Sequence, residues 1–321
     1  MMNLTFLMNS DEPWTRYRTL VDLLELVKED PQVLEARATM LRHPFISQLI
    51  QELSHWPGNV ISSHKSASQH FHLLAFLADL GLTQEDDGIA PILDKVMSTP
   101  SAEGVFRLTL KGSGDVDETI KAGWALCDAP LLLYSLIKMG RDKDSSVQQA
   151  MNYLQNLSQP FGWPCVVSKE HGSFRGPGKK TDPCPFATLI MLQWMALSER
   201  TNQSIEAKRG VESLLKAWDQ SLEIHPYMFY MGNDFRKLKV PFIWYDIMHV
   251  LDVLSQFPFV YSDRRFQSMF ELVVGKADSH GLYSPESEWL VWKKWNFSKK
   301  NQPSDWLTFL VYRIQKRVKH T

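Results

Sequence analysis

The chain has little cysteine, little excess charge and no long apolar run. Three Cys in 321 residues, at 127, 165 and 184, form no CxxC pair and no disulfide framework. Reduced thiols in the cytoplasm are the simpler expectation. The formal net charge is −1, so nothing global calls for nucleic acid or an anionic membrane. No apolar stretch approaches the roughly 18 residues that a spanning helix needs, so no transmembrane segment is expected. The first residues, Met1-Met-Asn-Leu-Thr-Phe-Leu-Met8, lack the layout of a signal peptide. There is no GxGxxG or Walker loop, because Gly176-Pro-Gly178 is too short for either. No run of residues reads convincingly as strand.

What the chain does have is aromatic and apolar mass. Eleven Trp and seventeen Phe, within 44% hydrophobic residues, suit a large core or an apolar pocket. Residues 12–28 space Trp14, Tyr17, Leu20, Leu23, Leu24 and Val27 three and four apart, which predicts one amphipathic helix with Asp11 as N-cap. Helices over Pro31–Leu41 and Pro44–Leu53 follow, closed by Pro57-Gly58. Trp289, Trp292 and Trp295 are spaced as one helix face.

From residue 59 a repeat emerges. Five apolar helices begin near His70, Asp128, Cys184, Asp246 and Asp305, and the last four starts are 56, 62 and 59 residues apart. The first four are each followed by an amphipathic helix: 88–98, 145–157, 204–222 and 263–276. A helix that is apolar all round must be buried, whereas an amphipathic one can face water. The economical arrangement is all-α: an α/α toroid of five to six hairpins forming one domain over 1–321. Residues 1–58 would complete the ring and 59–321 would supply the repeated hairpins.

In that arrangement the N-termini of the inner helices share one mouth. Its loops carry Lys65, Lys121, Arg175, Lys179, Lys180, Arg236, Lys237 and Lys239. Free N–H groups and the helix dipole favour anions there. A basic mouth over an aromatic cavity suits an apolar substrate with an anionic head.

Two stretches stand out at this mouth. One runs from Phe174 to Leu189 as a glycine-rich basic loop, then Asp182-Pro-Cys184, then an apolar helix. The other runs from Asn233 to His249 as a basic loop, then Asp246 and His249. Asp, Cys and His are all zinc ligands, and three protein ligands leave an open fourth position. The alternative is structural: Asp is a common N-cap, Cys a small buried residue, His a hydrogen-bonded core group.

Lys179-Lys-Thr-Asp182-Pro-Cys184 and Asp246-Ile-Met-His249 resemble the Lys-x-x-Asp-x-Cys and Asp-x-x-His motifs of protein prenyltransferase β subunits, within the terpenoid-cyclase and prenyltransferase toroid group. The resemblance implies zinc held by Asp182, Cys184 and His249. By the same resemblance Lys179 and Arg175 would hold the diphosphate of a prenyl donor; Lys180, Arg236 and Lys237 of the basic mouth are further candidates for it, and Asp246 is a candidate catalytic group. The chain departs from the family with Pro185 in place of Tyr after the Cys, and Met248 in place of an aromatic before the His. Nothing in it signals the second subunit those enzymes use. The same toroid group includes class II terpene cyclases, whose catalytic Asp starts an inner helix. Cys127-Asp128-Ala-Pro loosely resembles the end of that motif, with Asp115, Asp117 and Glu118 upstream. A metal-free acid at Asp128 is therefore a rival expectation, and it needs a polarising partner. His64, His70 and His72 match no standard metal spacing and are expected to be structural. A third reading is a non-catalytic protein whose cavity holds an apolar ligand or a partner.

Overall fold

A computed structural model describes residues 2–111, 120–172, 181–221, 223 and 231–319. Arg175, Lys179, Lys180, Asp115, Asp117 and Glu118 lie outside the described residues. The chain is mostly helical, with fourteen α-helices among the described residues. It divides into two compact units, one of residues 50–232 and one of residues 1–49 with 233–321.

The middle unit follows the sequence period closely. Its apolar helices are α5 (His70–Leu80), α7 (Ala129–Leu136) and α9 (Pro185–Met195), and every residue in them is buried. Each large side chain taken out of water contributes about 1.5–3 kcal/mol, so these helices dominate the core. Their amphipathic companions α6 (Ile89–Met97), α8 (Ser145–Asn156) and α11 (Ile205–Asp219) bury single stripes instead. In α8 the stripe is Val147, Ala150, Met151 and Leu154, at helical spacing. α7 packs between α5 and α9, and α9 also packs on α11.

α5 and α7 run parallel, because both of their ends are tied together. At the C-terminal ends Asp79 accepts from the Tyr134 hydroxyl and from Lys138 Nζ at 2.6 Å. Gln84 N donates to Met139 O at 2.9 Å just beyond. At the N-terminal ends His64, ahead of α5, meets Asp128, ahead of α7. Gly81 closes α5 with φ 98°, a left-handed value that favours glycine.

One strand pair departs from the expectation of no strands. β1 (Leu108–Lys111) pairs antiparallel with β2 (Ile120–Gly123), with Leu108 opposite Gly123 and Lys111 opposite Ile120. Leu108 and Leu110 alternate inward around Thr109, a half-buried pattern only four residues long.

The other unit joins α1 (Leu4–Met8), α2 (Pro13–Arg18) and α3 (Pro31–Leu41) to α12 (Ile247–Leu254), α13 (Arg264–Val274) and α14 (Asp305–Lys319). α12 is buried throughout, and so is α14 from Trp306 to Gln315. Asn3 N donates to the Tyr312 hydroxyl at 2.8 Å, tying α1 to α14. Asp252 of α12 accepts from Arg313 Nη2 at 2.9 Å and Arg317 Nη1 at 3.0 Å, both on α14.

The single helix expected over 12–28 is cut short. α2 starts after Glu12, not Asp11, and widens into a π turn at Thr19–Leu23 before Glu25 adopts φ 55°. Arg18 holds the Asp22 carboxylate through two bonds, and from α14 Lys316 Nζ takes the Asp22 and Leu23 carbonyls out of the helical ladder. Trp289–Trp295 is not one helix face either. It makes a 3-10 turn at Leu290–Trp292, with Trp292 and Trp295 buried and Leu290 75% exposed. Lys239 Nζ sits 3.4 Å from the Trp289 ring centre, and Trp289 Nε1 donates to Pro241 O at 3.2 Å.

Candidate functional site

A group of titratable side chains in the middle unit lies at the N-terminal ends of α5, α7 and α9. Asp128 occupies the N-cap position of α7, but its side chain does not cap the helix. Oδ1 turns back and accepts from Ala125 N at 3.2 Å. Oδ2 is buried with no hydrogen-bond partner. His64 Nδ1 lies 3.5 Å from it and is equally unpartnered. His72, on the first turn of α5, fixes the His64 backbone through its Nε2, 2.7 Å from His64 O.

Burial sets the charges. It pushes the Asp128 carboxyl up to about 7, against the backbone N–H groups of Ala125 and Ala129, which favour the anion. Burial, with His171 nearby, pulls His64 down to about 4. Near neutrality the pair is therefore a neutral imidazole facing a carboxyl poised between its two forms. Such a pair titrates jointly, and it can deliver and recover a proton at ordinary pH.

His171 closes one side. It follows Ser168, whose hydroxyl accepts from Trp124 N at 3.2 Å. Gly123 makes this approach possible: a Cβ there would stand 2.4 Å from both His171 Nε2 and Ser168 Oγ.

The three cysteines meet beside Asp128. Cys184 is the N-cap of α9, 3% exposed, with its N–H donating to Trp163 O at 2.7 Å. The thiols of Cys165 and Cys184 both contact the Cys127 thiol, and these contacts together with burial push Cys127 well up. All three are free thiols.

The remaining expected residues fall elsewhere. Asp182 lies partly exposed two residues before Cys184. Asp246 does cap its helix: Oδ1 accepts from His249 N at 3.0 Å, worth about 1 kcal/mol. Burial pushes the Asp246 carboxyl up to about 7. His249 is 1% exposed, with Nδ1 3.0 Å from Trp244 O and its ring stacked 5.0 Å from Phe242. Asp305 is not a cap; Ser304 holds that role, accepting from Leu307 N at 3.2 Å, while Asp305 bonds Ser10. Arg236 and Lys237 are partly exposed, and Lys237 pairs with Asp234 at 3.1 Å.

Asp182 and Cys184 thus belong to one compact unit, Asp246 and His249 to the other. Among the described residues no group of three or more His, Cys, Asp or Glu is placed to hold a metal ion. Among those residues, too, no helix is long and apolar enough to cross a membrane.

His64, expected to be structural, and His171 were the functional candidates that sequence reasoning passed over. The loop 62–69 has no periodicity, and its nearness to Asp128 arises only from the packing of α5 on α7. No family model matches the chain, and no curated protein matches it.

Proposed function

We propose that the chain is an acid–base enzyme in which Asp128 is the proton donor and His64 its polarising partner. The carrying observation is the fully buried Asp128 carboxyl, raised to about 7, with Oδ2 unpartnered and His64 Nδ1 at 3.5 Å. A proton held in a dry, apolar environment passes readily to a weakly basic substrate, and an anion left behind there is costly unless the proton returns. His64, neutral near pH 7, accepts the proton of the product-forming step and returns it to the Asp128 carboxylate, which closes the cycle. Those roles fit acid-initiated chemistry on an apolar, isoprenoid-class small molecule, of the kind terpene cyclases perform without metal. The finer architecture, an α/α toroid, is supported within each unit by buried apolar helices beside amphipathic ones. A cytoplasmic location accords with three reduced thiols.

The test is turnover in D2O with an uncharged polyprene and with farnesyl diphosphate. Acid initiation incorporates deuterium at a carbon, and Asp128→Asn lowers the rate by at least ~100-fold with the melting temperature kept or raised. Full activity in Asp128→Asn sinks the proposal.

A second reading keeps His249 as a zinc ligand. One observation favours it. The bond of His249 Nδ1 to the Trp244 carbonyl places the ring's lone pair on Nε2, the arrangement usual for a ligating imidazole. When bound, zinc would supply a nucleophile activated near neutral pH. Elemental analysis decides: about one zinc per chain, lost in His249→Ala, supports this reading, and no zinc after supplementation ends it.

A further inference from the structure

Residues 286–300 form a loop that is closed at its base and filled from within. Asn301 N donates to Pro285 O and Ser304 N to Tyr283 O, both at 2.9 Å, so the two stems lie side by side. Inside, Trp292, Trp295 and Phe297 are buried against one another, with ring centres 5.3–5.9 Å apart. Trp14 and Phe45 of the same unit add two more rings, 4.8 and 4.9 Å from Trp295. Surface loops with adjoining ends and their own packed side chains frequently carry function. That packing decides what is left outside. The 3-10 turn at Leu290–Trp292 sends Trp292 inward, while Leu290 and Val291 stand 75% and 58% exposed. Among the described residues they are the one adjacent pair of large apolar side chains so exposed. Lys293 and Lys294 follow at once, Lys299 and Lys300 end the loop, and all four are exposed. From Trp289 to Ser304 the chain carries these four Lys and no Asp or Glu, in a protein of net charge −1. The acids just before this run are Glu286 and Glu288, and Glu286 is paired with Lys276.

We propose that this loop docks on the surface of an anionic phospholipid bilayer. Leu290 and Val291 enter the interfacial layer, and Lys293, Lys294, Lys299 and Lys300 lie against the acidic headgroups. Charge complementarity selects the occupant: a lysine run without acids is drawn to an anionic leaflet. The aliphatic pair beside it leaves water on entering the headgroup boundary. A single-stranded nucleic acid would need ring faces to stack on. Here Trp292, Trp295 and Phe297 are buried, and Lys239 covers the Trp289 ring. A protein partner of standard size would bury about 800 Å² a side, far more than two side chains at the tip of a turn offer. Docking of this size is reversible and weakens with salt. The inference does not rest on the proposed acid–base activity.

The experiment is co-sedimentation of the whole chain with two kinds of vesicle, phosphatidylcholine alone and phosphatidylcholine mixed with phosphatidylserine. The expected result is binding to the mixed vesicles that exceeds binding to the neutral ones and falls as salt is raised. Lys293→Glu with Lys294→Glu should weaken it at least ~10-fold. Leu290→Ser with Val291→Ser should weaken it by a similar factor, because the apolar pair then has nothing to gain from leaving water. All four side chains are exposed, so both variants should keep the parent's melting temperature. Equal binding to the two kinds of vesicle, or binding to neither, overturns the proposal. So does binding that survives either pair of substitutions, since loss with the lysines alone would mean adhesion without insertion. Competition by soluble glycerophosphoserine would put a free headgroup in place of a bilayer and overturn it too. Self-association lost in the Leu290→Ser, Val291→Ser variant, without vesicle binding, would assign the loop to a second copy of the chain instead.

Discussion

His64 Nδ1 and Asp128 Oδ2 face each other across 3.5 Å, and burial holds both near their neutral forms. The carboxyl keeps its proton to about pH 7, well above the value near 3.9 of an unfolded Asp. The folded chain therefore binds more protons than the unfolded one between those values, and stability falls as pH rises through that window. Asp128→Asn removes the ionisation. It should raise stability at pH 8 by at least ~1 kcal/mol, and by less at pH 5, where only part of that window has been crossed. Thermal melts of both proteins at the two pH values check this.

Glu12 gives an independent instance in the other unit. Burial, then Asp305, pushes its carboxyl up to about 8, with Thr15 donating to Oε2 at 3.0 Å. The sign is the same: the folded pKa is raised, so stability falls as pH rises from the value near 4.3 of an unfolded Glu to about 8. Glu12→Gln should flatten the fall in melting temperature across that window and leave stability below it little changed. A variant whose melting temperature falls as steeply as the parent's across that window contradicts it.

Gly123→Ala should cost about 1–3 kcal/mol, because the new methyl meets His171 and Ser168 at 2.4 Å. Both are held by β2 and the turn that follows it. The displaced His171 would lower His64 less, so the His64 imidazole proton should titrate nearer its ordinary value in the variant. Histidine NMR against pH reads that shift.

Asp252 anchors Arg313 and Arg317 of α14 from within α12. Asp252→Ala leaves two guanidinium groups without that carboxylate and should destabilise by about 3–5 kcal/mol. Adding Arg313→Met should recover part of the loss, because it removes one stranded charge. Urea midpoints of the single and double variants test the coupling.

Helices were legible in the sequence wherever one period governed a whole segment. Phe186 to Met195 is apolar on every face, and it is buried on every face. Ala207, Gly210, Val211 and Leu214 mark the single buried stripe of α11. The readings that failed involve partners remote in sequence. Lys316 reaches back to the carbonyls of Asp22 and Leu23 and ends a helix that local spacing would continue. Lys239 and Pro241 hold Trp289 away from a helical face. Asp128 was visible as a residue at a helix start, but its company was not. His64 stands 64 positions before Asp128, and the turn carrying His171 is ordered by strand pairing that spans only a few residues. Cys127, Cys165 and Cys184 have no local pattern, so their meeting is a product of tertiary register.

One of the two units is assembled from both ends of the sequence, whereas the other is continuous from residue 50 to 232. On the ribosome this fixes an order of events. The middle unit can close while synthesis is still under way, but residues 1–49 must wait for α12 and α14. At the usual elongation rate of about 5–20 residues per second, Trp14 and Leu20 spend on the order of tens of seconds without their core. That interval leaves the apolar stripe of α1–α3 without its partners during translation, and it places the closing of this unit after α14 has emerged.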